Sequence, residues 1–116
     1  MKKIGIIGAM EVEVASLKSA MQVSRMLQKA QMEFLEGELE GCQVVVVRSG
    51  IGKVNAAVCT QILVDEFGVD GVINTGIAGS LKAEINIGDI VLSTDVLHHD
   101  MDATGFGYKP GQIPQM

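Results

Sequence analysis

Two carboxylates, Glu11 and Glu13, follow directly on an apolar run and a glycine turn, Ile4-Gly5-Ile6-Ile7-Gly8-Ala9-Met10. A helix that opens after such a turn normally offers its free N–H groups and positive dipole end to an anion. Here acids hold that place. Like charges in contact near a protein surface repel by about 4 kcal/mol, so a phosphate would be turned away. A cationic or oxocarbenium-like centre would be welcomed, and so would a water in need of a base. Glu11 reads as a cap on the helix dipole. For Glu13, capping and chemistry are both open.

Two further segments share this design of an apolar strand ending in small residues. They are Val45-Val46-Val47-Arg48-Ser49-Gly50-Ile51-Gly52 and Val72-Ile73-Asn74-Thr75-Gly76-Ile77-Ala78-Gly79-Ser80. In an open α/β sheet, ligands gather where strand ends spill into such loops, because backbone N–H groups are free there and side chains are out of the way. Three such units in one short chain imply three strands delivering their ends to one site. Gly50-Ile51-Gly52-Lys53-Val54 does not make a phosphate-cradling P-loop, which needs Ser or Thr where Val54 stands and an earlier Gly where Val47 stands. Nor does it complete a dinucleotide fingerprint, whose third glycine is here Asn55. A close-packed turn into a helix and a backbone surface for a ligand both fit it.

His98-His99-Asp100-Met101-Asp102 has the residue types of a metal site. Consecutive His residues on an extended segment point to opposite sides, and no further Cys or His lies at ligand spacing, so no metal is expected. Phe106 and Tyr108, with Pro114 nearby, place two of the four aromatic residues on a glycine- and proline-rich segment. Exposed aromatics of this kind mark an interface or a pocket lid.

The elements that must position these residues follow from the pattern. Lys3–Ala9 reads as a buried strand. A helix follows from Met10, with Val14, Leu17 and Met21 on one face, fraying near Val23–Ser24. Gln31–Leu39 and Cys42–Arg48 read as an antiparallel hairpin about Glu40-Gly41. Its first arm, with Glu33, Glu36 and Glu38, is expected toward an edge, and Val44–Val47 is expected to be buried on both faces. A second helix spans about Lys53 to Phe67, with Val54, Val58 and Ile62 on its apolar face and Gly68 as its C′ residue. Strand Gly71–Asn74 completes a βαβ unit, so the sheet is at least partly parallel. Ile87–Ser93 is a further expected strand, and His98–Met116 a loop segment. The fold class is α/β, a three-layer αβα arrangement about a mixed, partly parallel sheet, in one domain over 1–116.

Composition excludes several function classes. Net charge is −5 without a Lys/Arg cluster, which argues against nucleic-acid binding. The apolar runs are far short of a membrane span, and Gly5, Gly8 and Glu11 interrupt the start too early for a signal peptide. With 47% hydrophobic residues but only 3% aromatic ones, the core must be built from Val, Ile, Leu, Ala and Met. Cys42 and Cys59, isolated on different elements, fit reduced thiols in the cytoplasm.

Ile4–Glu13, Ser49–Val54, Asn74–Gly79 and Gly88–Val91 together resemble the 5′-methylthioadenosine/S-adenosylhomocysteine nucleosidases. His99-Asp100 and Phe106-Gly107-Tyr108 continue the resemblance along the chain. It implies a nucleoside phosphorylase-like fold, here incomplete, and hydrolysis of the adenine–ribose N-glycosidic bond to adenine and a thioribose, a step of methionine salvage. No cofactor or metal is implied. Glu13 matches the family's catalytic glutamate, which activates the attacking water. Ala9, Met10 and Ile51 match positions lining the ribosyl and water pocket, and Ile77, Ala78 and Gly79 the loop beside ribose and base. Ala103, Phe106, Tyr108 and Pro114 match positions that, in the family homodimer, close the neighbouring subunit's 5′-alkylthio pocket. The transition state of such a reaction is ribosyl-cation-like, which agrees with acids at the first loop.

Two departures stand out. Ile77 replaces a small, often hydroxylic residue of the family loop. The family's ribose-binding Met and Glu, and the Asp that protonates the leaving adenine, lie beyond Met116. The 116-residue chain by itself is therefore expected to be inactive or nearly so. A purine or uridine phosphorylase-type enzyme is the nearest alternative, disfavoured by the acidic first loop. A non-catalytic α/β module pairing through its Phe106/Tyr108 loop is the alternative from another class.

Overall fold

The apolar run at the start forms β1 (Lys3–Gly8), and it becomes the strand about which the sheet is parallel. It lies between β4 (Cys42–Arg48) and β5 (Gly71–Asn74), both parallel to it. β2 (Gln22–Lys29) and β3 (Met32–Leu39) extend the sheet antiparallel to one side, giving the order β2-β3-β4-β1-β5. The computed structural model describes residues 2–116. They form two compact units, one running through Gly79 and holding this sheet, the other Ser80–Met116.

Alternation along the strands makes two apolar faces, and each takes a helix. On one, Ile6, Val44 and Val46 pack with Val14 and Met21, around α1 (Glu11–Ala20). On the other, Ile7, Phe34, Val45 and Val47 pack with Cys59, Leu63 and Phe67 of α2 (Lys53–Phe67). The expected three-layer αβα class is what forms. Burying each such Val, Leu or Phe contributes about 1.5–3 kcal/mol, so both layers hold the central strands. Cys59 is fully buried in the second layer and burial pushes its thiol up to about 11, whereas Cys42 is an exposed free thiol.

The hairpin turn Glu40-Gly41 has both residues at positive φ, 50° and 78°, the mirror-image turn that matches strand twist. α2 keeps its expected bounds and ends on Gly68 in the left-handed region at φ 61°. Four expectations need correction. α1 stops at Ala20, and Met21 is already extended, so that Gln22–Lys29 is a strand and not a fraying helix end. β3 is therefore not an edge strand. Two of its three acids are met by neighbours: Glu36 pairs with Lys3 and Arg25, and Glu33 accepts from the Gln28 side chain at 3.4 Å. The buried face of α2 is Cys59, Leu63 and Phe67; Val54 and Val58 are exposed at 78% and 40%.

The fourth correction lies in the second unit. Ile87–Ser93 is not a strand, and Ile87, Ile90 and Leu92 stay exposed. A strand exists only through its ladder, and this run finds no pairing partner among the described residues. The unit contains one 3-10 turn, Thr104–Phe106, begun by Asp102, whose Oδ1 accepts from Thr104 Oγ1 at 2.6 Å and Thr104 N at 3.0 Å. These bonds hold the Asp102 carboxyl below its ordinary range. The rest is loop, as expected for His98–Met116. No described helix is long and apolar enough to cross a membrane.

Candidate active site

Because β4, β1 and β5 are neighbours and parallel, their carboxyl ends emerge side by side. The ladder continues past the strands: Ser49 N donates to Gly8 O at 2.9 Å, and Thr75 N to Ile7 O at 2.9 Å. These bonds tie the three glycine loops together at one end of the sheet. The three segments singled out by their small residues do converge.

Glu13 joins two of those loops. Its Oε2 accepts from the Met10 backbone N–H at 2.9 Å, and its Oε1 from the Ile77 backbone N–H at 3.2 Å. The first contact is the capping role: Met10 has no side-chain oxygen, so the carboxylate reaches back from the third helical position to the orphan N–H. The second crosses 64 residues to the loop after β5. Glu13 is thus both a cap and a bridge. Donors to both oxygens favour the ionised form: the Met10 N–H first, then that of Ile77, hold the carboxyl below its ordinary range against a smaller opposing effect of desolvation. Glu11, by contrast, turns to Lys18 at 3.0 Å on the exposed helix surface.

Gly76 leaves the room this carboxylate occupies, since a Cβ there would stand 2.7 Å from Oε1. A Cβ on Gly8 would instead meet the stem of α1, 2.7 Å from Val14 Cγ1 and 3.1 Å from Glu13 Cβ. The middle loop is shaped differently. Gly50 and Gly52 have φ of 85° and 100°, values that side chains avoid. Its carbonyls are taken: Ser49 Oγ donates to Gly50 O at 2.8 Å, Asn55 Nδ2 to Ile51 O at 2.8 Å, and Ala56 N to Gly52 O at 3.1 Å.

Beside this loop is an open cavity of about 570 Å³, lined among others by Ala9, Met10, Ser49, Gly50, Ile51 and Asn55. Of the residues expected at the site, Ala9, Met10 and Ile51 line it, and Ile51 is 73% exposed. Ile77, Ala78 and Gly79 continue the loop that Glu13 anchors and are exposed. Ala103, Phe106, Tyr108 and Pro114 belong to the second unit. There Ala103 is buried at the start of the 3-10 turn, Tyr108 is half-buried, and Phe106 and Pro114 are exposed.

Sequence reasoning missed Gln31, Arg48 and Asn55 at the cavity. Gln31 sits in the β2–β3 turn, invisible without β2. Asn55 drew notice only as the glycine that a dinucleotide loop lacks. The histidine pair also differs from expectation. His98 and His99 each bring Nδ1 to 3.9 Å from Asp100 Oδ1, because His99-Asp100 is a turn and not extended backbone. No group of three or more His, Cys, Asp or Glu among the described residues could hold a metal ion.

Comparison with known proteins agrees with this geometry. The family model described as the phosphorylase superfamily matches residues 3–115. A 5′-methylthioadenosine/S-adenosylhomocysteine nucleosidase of Pseudoalteromonas translucida is 53% identical over 113 residues, which are 97% of this chain and 48% of the relative. The crystal structure of a nucleosidase of the same name from Colwellia psychrerythraea, in complex with adenine, is 52% identical. It superposes at a TM-score of 0.94 over 97% of this chain and 47% of that one. A Neisseria meningitidis nucleosidase in complex with methylthio-immucillin-A is 46% identical at a TM-score of 0.94, covering 100% of this chain and 50% of that one. The chain spans about half the length of the relatives it matches. With a parallel core about β1, three glycine loops at its carboxyl end and this match along nearly its whole length, the chain belongs to the phosphorylase superfamily.

Proposed function

We propose that this chain supplies the water-activating part of a nucleosidase that hydrolyses the N-glycosidic bond of 5′-methylthioadenosine or S-adenosylhomocysteine. The observation that carries the reading is the Glu13 carboxylate, ionised and fixed by Met10 and Ile77 N–H groups at the carboxyl end of the sheet. The relatives' names and their adenine and analogue complexes give the substrate class.

In this reading the C1′–N9 electron pair leaves with adenine and C1′ becomes oxocarbenium-like. A water held against Glu13 attacks C1′, and its proton passes to the carboxylate. A carboxylate with depressed pKa is a weak base toward bulk water. Its strength here is orientation, together with a negative charge facing the sugar as that turns positive. No metal or cofactor takes part. Ala9, Met10 and Ile51 wall the ribosyl side, and Ile77, Ala78 and Gly79 form the lip beside ribose and base. In a homodimer, Ala103, Phe106, Tyr108 and Pro114 serve the neighbouring subunit's 5′-alkylthio pocket. The relatives carry about as much chain again, and protonation of the departing adenine is assigned to that part.

The test joins this segment to the carboxyl-terminal half of the Pseudoalteromonas translucida relative and compares it with its Glu13→Gln variant. General acid–base catalysis is worth about 10²–10⁴-fold. Adenine release should fall by that factor while a substrate analogue still binds. Near-normal release would remove Glu13 from the chemistry. The sugar product in phosphate buffer should be the free thioribose; a sugar phosphate would mean phosphorolysis.

A further inference from the structure

We propose that Asn55 is a positioning residue: it holds the Ser49–Gly52 loop in its glycine-only shape and so sets where Ile51 meets the cavity. Its effect on ligand binding rests on the nucleosidase reading above; its effect on the loop does not.

Three observations converge on Asn55. Its Nδ2 donates to Ile51 O at 2.8 Å, one helical turn back. Its side-chain amide also occupies the space beside Gly50, where a Cβ would stand 2.9 Å from Nδ2. Asn55 itself lines the cavity with Gly50 and Ile51. Gly50 and Gly52, at φ 85° and 100°, bracket Ile51. Glycine is the most mobile backbone available, so a loop with one on each side of Ile51 keeps one shape only if its polar groups are tied. Ser49 ties the carbonyl of Gly50, and α2 itself ties that of Gly52. Asn55 ties the carbonyl of Ile51. Ile51 is exposed, so packing against neighbours does little to fix it.

The position of Asn55 in the helix makes the test sharp. With Gly52 as N-cap, Asn55 is the third helical residue, where an acid suits the helix dipole. Aspartate has the same size there but no N–H. If Asn55 served only the helix, Asn55→Asp would replace it without loss. If it braces the loop, Asn55→Asp sets a negative oxygen against the Ile51 carbonyl and releases it.

The experiment uses the 116-residue chain, with the Ile51 δ1 methyl followed by NMR and adenine affinity by titration. The expected result is one sharp Ile51 signal in the parent. In Asn55→Asp and Asn55→Ala that signal moves or broadens, with the melting temperature of Asn55→Asp kept or raised. Adenine affinity should drop about tenfold, the scale of one lost hydrogen bond. An unchanged Ile51 signal in both variants would overturn the proposal, as would a moved signal with unchanged adenine affinity. If the parent does not bind adenine, the nucleoside reading of the cavity fails, and the methyl signal alone decides the role of Asn55.

Discussion

Gly76 and Glu13 compete for the same space: a Cβ at residue 76 would lie 2.7 Å from Glu13 Oε1 and 3.0 Å from its Cδ. The glycine is not there for its backbone freedom but because the carboxylate fills the place of its side chain. Gly76→Ala must therefore move the acid. Since the obstructing atoms are the far end of a flexible side chain, the fold should lose only about 1 kcal/mol, the low end of overpacking costs. Function should lose more, because the swung carboxylate gives up the Ile77 N–H. The expected outcome is a small fall in melting temperature, with adenine release by the joined full-length protein down at least about tenfold, the effect of a misplaced catalytic group. The NMR-measured Glu13 pKa should rise toward its ordinary value. A Gly76→Ala protein with parental turnover would show that the Glu13–Ile77 contact is incidental.

The same two N–H bonds make stability depend on pH. Glu13 ionises below its ordinary 4.5 in the fold, chiefly through Met10 and then Ile77. With the folded pKa depressed, the stabilisation is fully present above about pH 4.5 and is lost as pH falls through the folded value. Other carboxylates titrate in the same range, so the informative quantity is a difference. Urea unfolding of the parent and of Glu13→Gln from pH 7 to pH 3 should show a gap that is constant down to about pH 5 and closes below it. A gap of equal size at pH 7 and pH 3 would mean that ionisation of Glu13 does not contribute.

Much of this could be read from the chain because particular segments obey one rule at a time. Val44–Val47, a pure β-branched run, can only be a strand covered on both faces, and all four residues are buried. β2 was invisible for the opposite reason. Gln22–Lys29 is an edge strand with water on most of its surface, so it has no apolar alternation to show, and no Gly or Pro marks the helix end at Ala20. Missing β2 also misplaced β3 and hid Gln31. Of the site, the three glycine loops were legible, since glycine after a strand has few other uses. That Glu13 would bridge to the Ile77 N–H was not, because a 64-residue separation leaves no periodic trace. Asn55 was hidden for yet another reason: its role is toward backbone, and backbone is the same at every position.

α2 shows why a correct helix can have the wrong face. Val54, Ala57, Val58, Cys59, Ile62, Leu63, Val64 and Phe67 surround it, and a helix apolar nearly all round gives periodicity no direction to choose. The sheet chooses: Cys59, Leu63 and Phe67 meet Ile7, Phe34, Val45 and Val47. Paired substitutions on the one helix separate the two faces. Leu63→Ala removes a fully buried side chain and should cost about 2–5 kcal/mol in urea unfolding, with an unchanged m-value. Val54→Ala, at a residue 78% exposed, should stay within about 0.5 kcal/mol and could gain slightly, because alanine is the better helix former. Dilute protein is needed, since association through the exposed valines would stabilise the parent by mass action. A loss at Val54 that vanishes on dilution would assign that face to an intermolecular contact. A loss that persists would mean that Val54 is buried in the folded chain after all, and with it the sequence-derived face of α2.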